Sequence, residues 1–259
     1  MTLYNYDGTI FWNDGRVKAV PWKTEMHRGY SSPTVYENTL PAYYRAWING
    51  ADLIETDARL ASDGVYVVYH DATVTVSGTT YTIAEETSET LTALVLSTDA
   101  VYGDCKIPTL ESVLKLALYT GMSVNLDCKA INASTLATLV VNCGMSGRTM
   151  YANTNTSNAS TILSIDPNAG FIFDYSASNL TTWSNALTNY HTRQKSYAWE
   201  STISNEALEA TRKLGFKYLL SSVSTTTLMP YAPDCIEFVA TADSKALNQQ
   251  YLDELDLLG

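Results

Sequence analysis

A chain of 259 residues, 46% of them apolar, can bury a full core, and α/β folds of this size commonly form one domain, expected here over 1–259. A formal charge of −11, with only 16 Lys and Arg scattered along the sequence, opposes the phosphate contacts that drive nucleic-acid binding, so no nucleic-acid partner is expected. No run approaches the ~18 apolar residues of a membrane span, and the opening MTLYNYDGTIFWNDG lacks the regions of a signal peptide. A cytoplasmic location is the default expectation, with a secreted form or a piece of a larger protein left open. The cysteines Cys105, Cys128, Cys143 and Cys235 form no Cys-x-x-Cys pair and sit near no histidine pair, which argues against zinc and leaves their redox state open.

In chain order, β-rich runs fall at VPWKTEM (20–26), DLIETD (52–57), VYVVY (65–69), SVNLDC (123–128), RTMYA (148–152), GFIFDY (170–175), SYAW (196–199) and FKYLL (216–220), about eight strands. Helical patterns lie between several of them. Leu40, Tyr44, Trp47 and Ile48 share one face of a helix begun by Thr39, with Pro41 in its first turn and Gly50 at its close. Leu110, Val113, Leu114, Ala117 and Leu118 repeat the pattern between Thr109 and Gly121, and Gly215 closes a helix that starts after Ser204. Strand then helix, repeated, predicts an α/β fold. At this length the expected form is a (β/α)8 TIM barrel with a small insertion after the third strand, about 72–107, and a tail at about 223–259.

In such a barrel function collects at the C-terminal strand ends. His27 would end the first strand, Glu55 and Asp57 the second, His70 the third, and Asp127 with Lys129 the fourth. Period-two geometry puts Glu55 and Asp57 on one side of their strand, and Asn125, Asp127 and Lys129 on one side of theirs, leaving Cys128 to pack under helices. A Glu-x-Asp pair can be a solvated edge, but on an interior strand two carboxylates are costly unless a cation lies between them. Oxygen ligands suit one hard divalent cation, Mg²⁺ or Ca²⁺, with Asp127 as third ligand. Arg28 and Lys129 either balance these carboxylates or hold an anionic substrate. His191, in a polar run, reads as surface. Glu25 shares the face of His27 and adds an inward carboxylate that calls for a partner such as a lysine. A hard metal, two imidazoles and two cations together describe phosphoryl transfer, one histidine deprotonating the nucleophile and the other protonating the leaving oxygen.

These residues carry a family resemblance. HRG (27–29), ENT (37–39), E-x-D (55–57), DG (63–64) and HD (70–71) stand in the order and spacing of the glycerophosphodiester phosphodiesterases (GDPD), within the phospholipase C-like phosphodiesterases. IPTLESVLKLA (107–117), LDCK (126–129) and AWESTISNEALEATRKLGFKYLLSS (198–222) extend the likeness over most of the chain. The resemblance implies hydrolysis of glycerophosphodiesters to glycerol 3-phosphate and an alcohol. It implies His27 and His70 as the acid/base pair, and Glu55, Asp57 and Asp127 as ligands of one Mg²⁺ or Ca²⁺. It further implies Arg28 and Lys129 on the substrate and Trp199 near the alcohol. In such enzymes the substrate's own glycerol hydroxyl attacks phosphorus first, and water opens the cyclic phosphate. The sequence departs from the family where Asp127 replaces the commoner Glu, where Glu200 stands for Thr, and where Ser221 and Ser222 stand for Thr-Asp. Asp-x-Lys is similar to the spider-venom phospholipases D, without their disulfide pattern. Two alternatives stand beside the hydrolase: phospholipase D-like action on lysolipids, and a non-catalytic module that binds glycerophosphate or polysaccharide.

Overall fold

The computed structural model describes residues 3–4, 9–11, 17–19, 23–189, 196–200, 205–221, 236–241, 247, 249 and 250. Strands β1 (Leu3–Tyr4), β2 (Thr9–Phe11) and β3 (Val17–Ala19) form a small antiparallel sheet. After them come β4 (Lys23–Met26), α1 (Leu40–Ile48) and β5 (Leu53–Leu60), then an excursion through β6 (Tyr66–Val68), β7 (Thr73–Val76), β8 (Thr79–Thr82), α2 (Ser88–Ala93), β9 (Val95–Asp99) and β10 (Gly103–Lys106). The alternation resumes with α3 (Leu110–Thr120), β11 (Ser123–Cys128), α4 (Ala133–Asn142), β12 (Thr149–Ala152) and α5 (Thr156–Ile165). It continues through β13 (Gly170–Asp174), α6 (Ala177–Ala186), β14 (Tyr197–Glu200), α7 (Asn205–Lys213), β15 (Lys217–Ser221) and β16 (Ile236–Thr241).

Eight strands, β4, β5 and β11 to β16, pair in parallel, and β16 returns to β4, so the sheet closes on itself as a (β/α)8 barrel. Two expectations are corrected. The run 65–69, taken for the third barrel strand, gives β6, which pairs antiparallel with β5 outside the ring. Only residues 61–65 separate the two strands, whereas a parallel return needs a crossover of a dozen or more residues. The third barrel strand is β11, and the excursion follows the second. The eighth is β16, inside the stretch expected to be tail, where IEFVAT supplies apolar and β-branched residues that favour a strand.

Two cores follow from the period-two alternation. Outward residues such as Ile54, Val124, Leu126 and Cys128 pack beneath the helices, while Leu53, Met150, Ile172, Tyr197 and Leu219 plug the barrel interior. The excursion has its own cluster, built on Val67, Tyr69, Val74, Ile83, Leu91 and Ile107. Thr39 and Thr109 cap α1 and α3, Gly121 ends α3 in the left-handed region, and Gly215 follows α7 with φ +78°. The face of α1 is corrected. Leu40, Tyr44, Trp47 and Ile48 are 36–46% exposed, and the helix instead buries Ala42, Tyr43 and Ala46. Small residues let the helix approach the turn after β4, so the bulky stripe faces out. Leu118 is likewise exposed, while the other four apolar positions named on α3 are buried. Among the described residues no helix is long and apolar enough to cross a membrane.

Candidate active site

The first element of the site is the turn after β4. Arg28 and Gly29 both take positive φ, +55° and +82°, so the chain reverses within two residues of the strand end. Gly29 is required twice over: its φ disfavours a side chain, and a Cβ there would meet the Ala42 carbonyl carbon at 2.8 Å. This turn sends the Arg28 N–H to Glu55 Oε2 at 3.1 Å and the guanidinium to Glu37 Oε1 at 2.8 Å, with Nε 3.3 Å from Asp57 Oδ2. His27 Nε2 lies 3.9 Å from Glu55 Oε2. Although the His27 side chain is 61% exposed, lost hydration and then the charge of Arg28 lower its pKa from 6.5, so the ring is neutral at pH 7.

Strands β5 and β11 supply the carboxylates. Their parallel register sets Glu55 beside Asn125 and Asp57 beside Asp127, with all four side chains on the interior face. Ligand oxygens of Glu55, Asp57 and Asp127 lie within 4.8 Å of one another. Lys129 Nζ donates to Asp127 Oδ2 at 2.6 Å and sits 3.2 Å from Asp57 Oδ1. Burial first, then the charges of Asp57, Glu25 and Asp127, push the Glu55 carboxyl well above the usual carboxylate range. Asp127 Oδ1 is buried without a hydrogen bond, and Asp57 Oδ1 has the nearby lysine but no hydrogen-bond geometry. Three crowded carboxylates with open oxygens fit a hard divalent cation and its oxygen-only preference. Glu25 is also inward, and the partner expected to be a lysine is Asn125, whose Nδ2 donates to Glu25 Oε2 at 2.9 Å. Burial raises its pKa from 4.5 to about 7 against that hydrogen bond.

The second imidazole arrives on the excursion rather than on a parallel strand. His70 Nδ1 pairs with Asp71 Oδ1 at 2.8 Å, which assigns the proton to Nδ1 and leaves Nε2 as the free nitrogen. Arg59, on β5, donates from Nε at 2.9 Å and Nη2 at 2.5 Å to the His70 carbonyl, tying this loop to the barrel. The charge of His70 acts on His27, so the two rings share one electrostatic neighbourhood. Trp199 lies on β14 with its side chain outside what the structure describes, and His191 and Cys235 lie outside the described residues. Cys105, Cys128 and Cys143 are free thiols, all buried. Four contributors escaped the composition and spacing argument: Glu37, Asn38, Arg59 and Asp71. Glu37, Asn38 and Asp71 stand in ENT and HD, read there as landmarks rather than as partners of Arg28, Asp57 and His70, while Arg59 lies in neither motif.

A closed (β/α)8 barrel that gathers three carboxylates, two imidazoles and two cations around its strand ends defines a TIM-barrel protein with a site suited to a cation and an anionic ligand. The chain belongs to the glycerophosphoryl diester phosphodiesterase family, whose pattern it matches over residues 27–227. It is 38% identical over 108 residues, 40% of this chain and 44% of the relative, to a glycerophosphodiester phosphodiesterase of Caldanaerobacter subterraneus subsp. tengcongensis. The matching stretch spans less than half the length of the curated relatives it aligns with. In structure it is similar to a glycerophosphodiester phosphodiesterase of Agrobacterium tumefaciens, with TM-score 0.71 and 21% identity over 88% of this chain and 99% of that one. It is also similar to an Oleispira antarctica phosphodiesterase solved with its product sn-glycerol-3-phosphate, with TM-score 0.68 and 19% identity over 89% and 96%.

Proposed function

We propose that this protein hydrolyses glycerophosphodiesters to glycerol 3-phosphate and an alcohol, with Glu55, Asp57 and Asp127 holding one divalent cation and His27 and His70 moving the protons. The observation that carries this reading is the convergence of the three carboxylates within 4.8 Å beside His27. When bound, the cation supplies Lewis-acid charge against the non-bridging phosphate oxygens. Arg28 and Lys129 add fixed positive charge for the same oxygens, and Glu37 holds the Arg28 fork in place. Neutral His27 accepts the proton of the attacking glycerol hydroxyl, which suits its lowered pKa. His70 in its doubly protonated form, with Nδ1–H held by Asp71, would give its Nε2 proton to the departing alcohol oxygen, and water would then open the resulting cyclic phosphate to glycerol 3-phosphate as the two rings exchange roles. The product complex of the Oleispira antarctica protein, a structural neighbour, supports glycerol 3-phosphate as the product class.

The test is release of glycerol 3-phosphate from glycerophosphocholine and glycerophosphoethanolamine with Mg²⁺, with Ca²⁺ and with a chelator, and lysophosphatidylcholine as a separate arm. Turnover that requires the ion and falls by ~10²–10⁴-fold in His27→Ala is expected for acid/base catalysis. Turnover unaffected by the chelator removes the metal, and a wild-type rate in His27→Ala removes the base. Choline release from the lysolipid without glycerophosphodiester turnover selects the phospholipase D-like reading.

A further inference from the structure

Among the described residues, four non-glycine positions take positive φ, and two of them, Arg28 and Asn38, touch the same atom. Asn38 has φ +55°, its N–H donates to the Arg28 carbonyl at 2.9 Å, and its Nδ2 donates to Asp57 Oδ2 at 2.7 Å. Arg28 Nε lies 3.3 Å from that same oxygen. Asn38 therefore holds Oδ2 by a hydrogen bond with Arg28 beside it as an ion pair, while Oδ1 faces Lys129 as an ion pair and carries no hydrogen bond. Left-handed backbone at a non-glycine residue is strained, and such strain persists only where surrounding contacts hold it.

The contact that holds Asn38 is buried. Tyr43, fully enclosed on α1, places its hydroxyl 2.7 Å from both Asn38 Oδ1 and Thr56 Oγ1. A carboxylate only accepts, so Asn38 Nδ2 must face Asp57 and Oδ1 is turned to the tyrosine. With its single hydrogen Tyr43 then donates to that carbonyl and accepts from Thr56. An amide flipped by half a turn would set carbonyl oxygen against carboxylate oxygen. Asp57 N–H also approaches Asn38 Oδ1, at 3.4 Å, which favours the same orientation.

We infer that Asn38 is a positioning residue for the cation site, an amide locked by Tyr43 that occupies Asp57 Oδ2 and so presents Oδ1 to the ion. This rests on the reading of Glu55, Asp57 and Asp127 as cation ligands. Groups that orient a ligand through a hydrogen bond commonly change metal affinity by ~10–100-fold when removed. Asn38→Gly keeps a residue at ease with positive φ and removes only the amide, which separates orientation from backbone strain. Tyr43→Phe leaves the amide in place and removes what fixes it.

The experiment is a calorimetric titration of the metal-free full chain with Mn²⁺, Mg²⁺ and Ca²⁺, beside glycerophosphocholine turnover across ion concentration. Asn38→Gly is expected to bind the ion ~10–100-fold more weakly. Tyr43→Phe is expected to shift the same way by less, and kcat in both should return to within a few-fold of the wild type at saturating ion. An unchanged affinity in both variants, with ion binding and turnover intact in the wild type, overturns the inference and leaves the proposed function standing. A kcat that stays low at saturating ion assigns Asn38 to general structure and also overturns it. If the wild type binds no ion, the cation reading fails and the inference falls with it.

Discussion

Glu25 puts the most sharply testable electrostatics at the scale of a single residue. It sits inside the barrel with one hydrogen bond, from Asn125, and its pKa is raised from 4.5 to about 7. Folding raises this acid's pKa, so between those two values the native state holds a proton that the unfolded chain releases. The contribution of Glu25 to stability therefore falls as pH rises through that window and levels off above it. A shift of this size corresponds to about 3 kcal/mol. Glu25→Gln mimics the protonated acid and should remove the dependence. In chelator, urea unfolding of the variant should match the wild type near pH 4.5 and exceed it by about 3 kcal/mol above pH 8. A constant difference across pH would show that Glu25 does not change its charge on folding. That His27, Arg28, Glu55, Asp57 and Asp127 come together in the candidate site was legible because charged groups at strand ends have few inexpensive explanations. The partner of Glu25 was not legible. Asn125 faces it only because closing the barrel brings β11 within reach of β4, and no spacing along the chain encodes that distance.

At the scale of elements, local chemistry was readable and facing was not. Thr39, Thr109, Gly121 and Gly215 mark helix ends because capping needs only neighbouring backbone groups. Which side of α1 packs inward depends on how closely the turn after β4 approaches, and that is decided by Gly29, eleven residues before the helix starts at Leu40. Gly29→Ala should expose this dependence. The added methyl meets α1 backbone at 2.8 Å and must take a φ of +82°. Left-handed strain of ~1–2 kcal/mol plus ~1–3 kcal/mol for overpacking gives a destabilisation of about 3 kcal/mol, readable as a lowered urea midpoint. Because the turn carries His27 and Arg28, turnover at full folding should fall as well. An unchanged midpoint would mean that α1 can retreat without loss and that the close approach is not required. The same reasoning explains β6: VYVVY has the composition of a barrel strand, and only the shortness of the link from β5 excludes it.

At the scale of the molecule, closure of the ring depends on β16, the strand least legible in the sequence. Its six residues, Ile236–Thr241, pair with β15 on one side and β4 on the other. IEFVAT follows MPYAPDC, a Pro-punctuated stretch that reads as loop, and a single short apolar run after such a stretch carries no signal of its place in a ring. Removing it would leave β15 and β4 as two unpaired parallel edges, and the interior plug of Leu53, Met150, Ile172, Tyr197 and Leu219 open to water. Strand β4 is also the strand that leads into His27. Deletion of residues 223–259 should therefore yield a chain that lacks a cooperative urea transition, associates through its open edges, and loses both ion binding and turnover. Circular dichroism through a urea titration, with light scattering for association, reads the result. A truncated chain that unfolds cooperatively at the wild-type midpoint would mean that seven strands suffice and that β16 covers the barrel rather than closing it. Substituting Val239, which pairs with both Leu220 and Thr24, with Pro separates the two cases without shortening the chain. If β16 closes the ring, a proline there removes a ladder donor between two paired strands and should lower stability by several kcal/mol, and if it merely covers the barrel the loss should stay within about 1 kcal/mol.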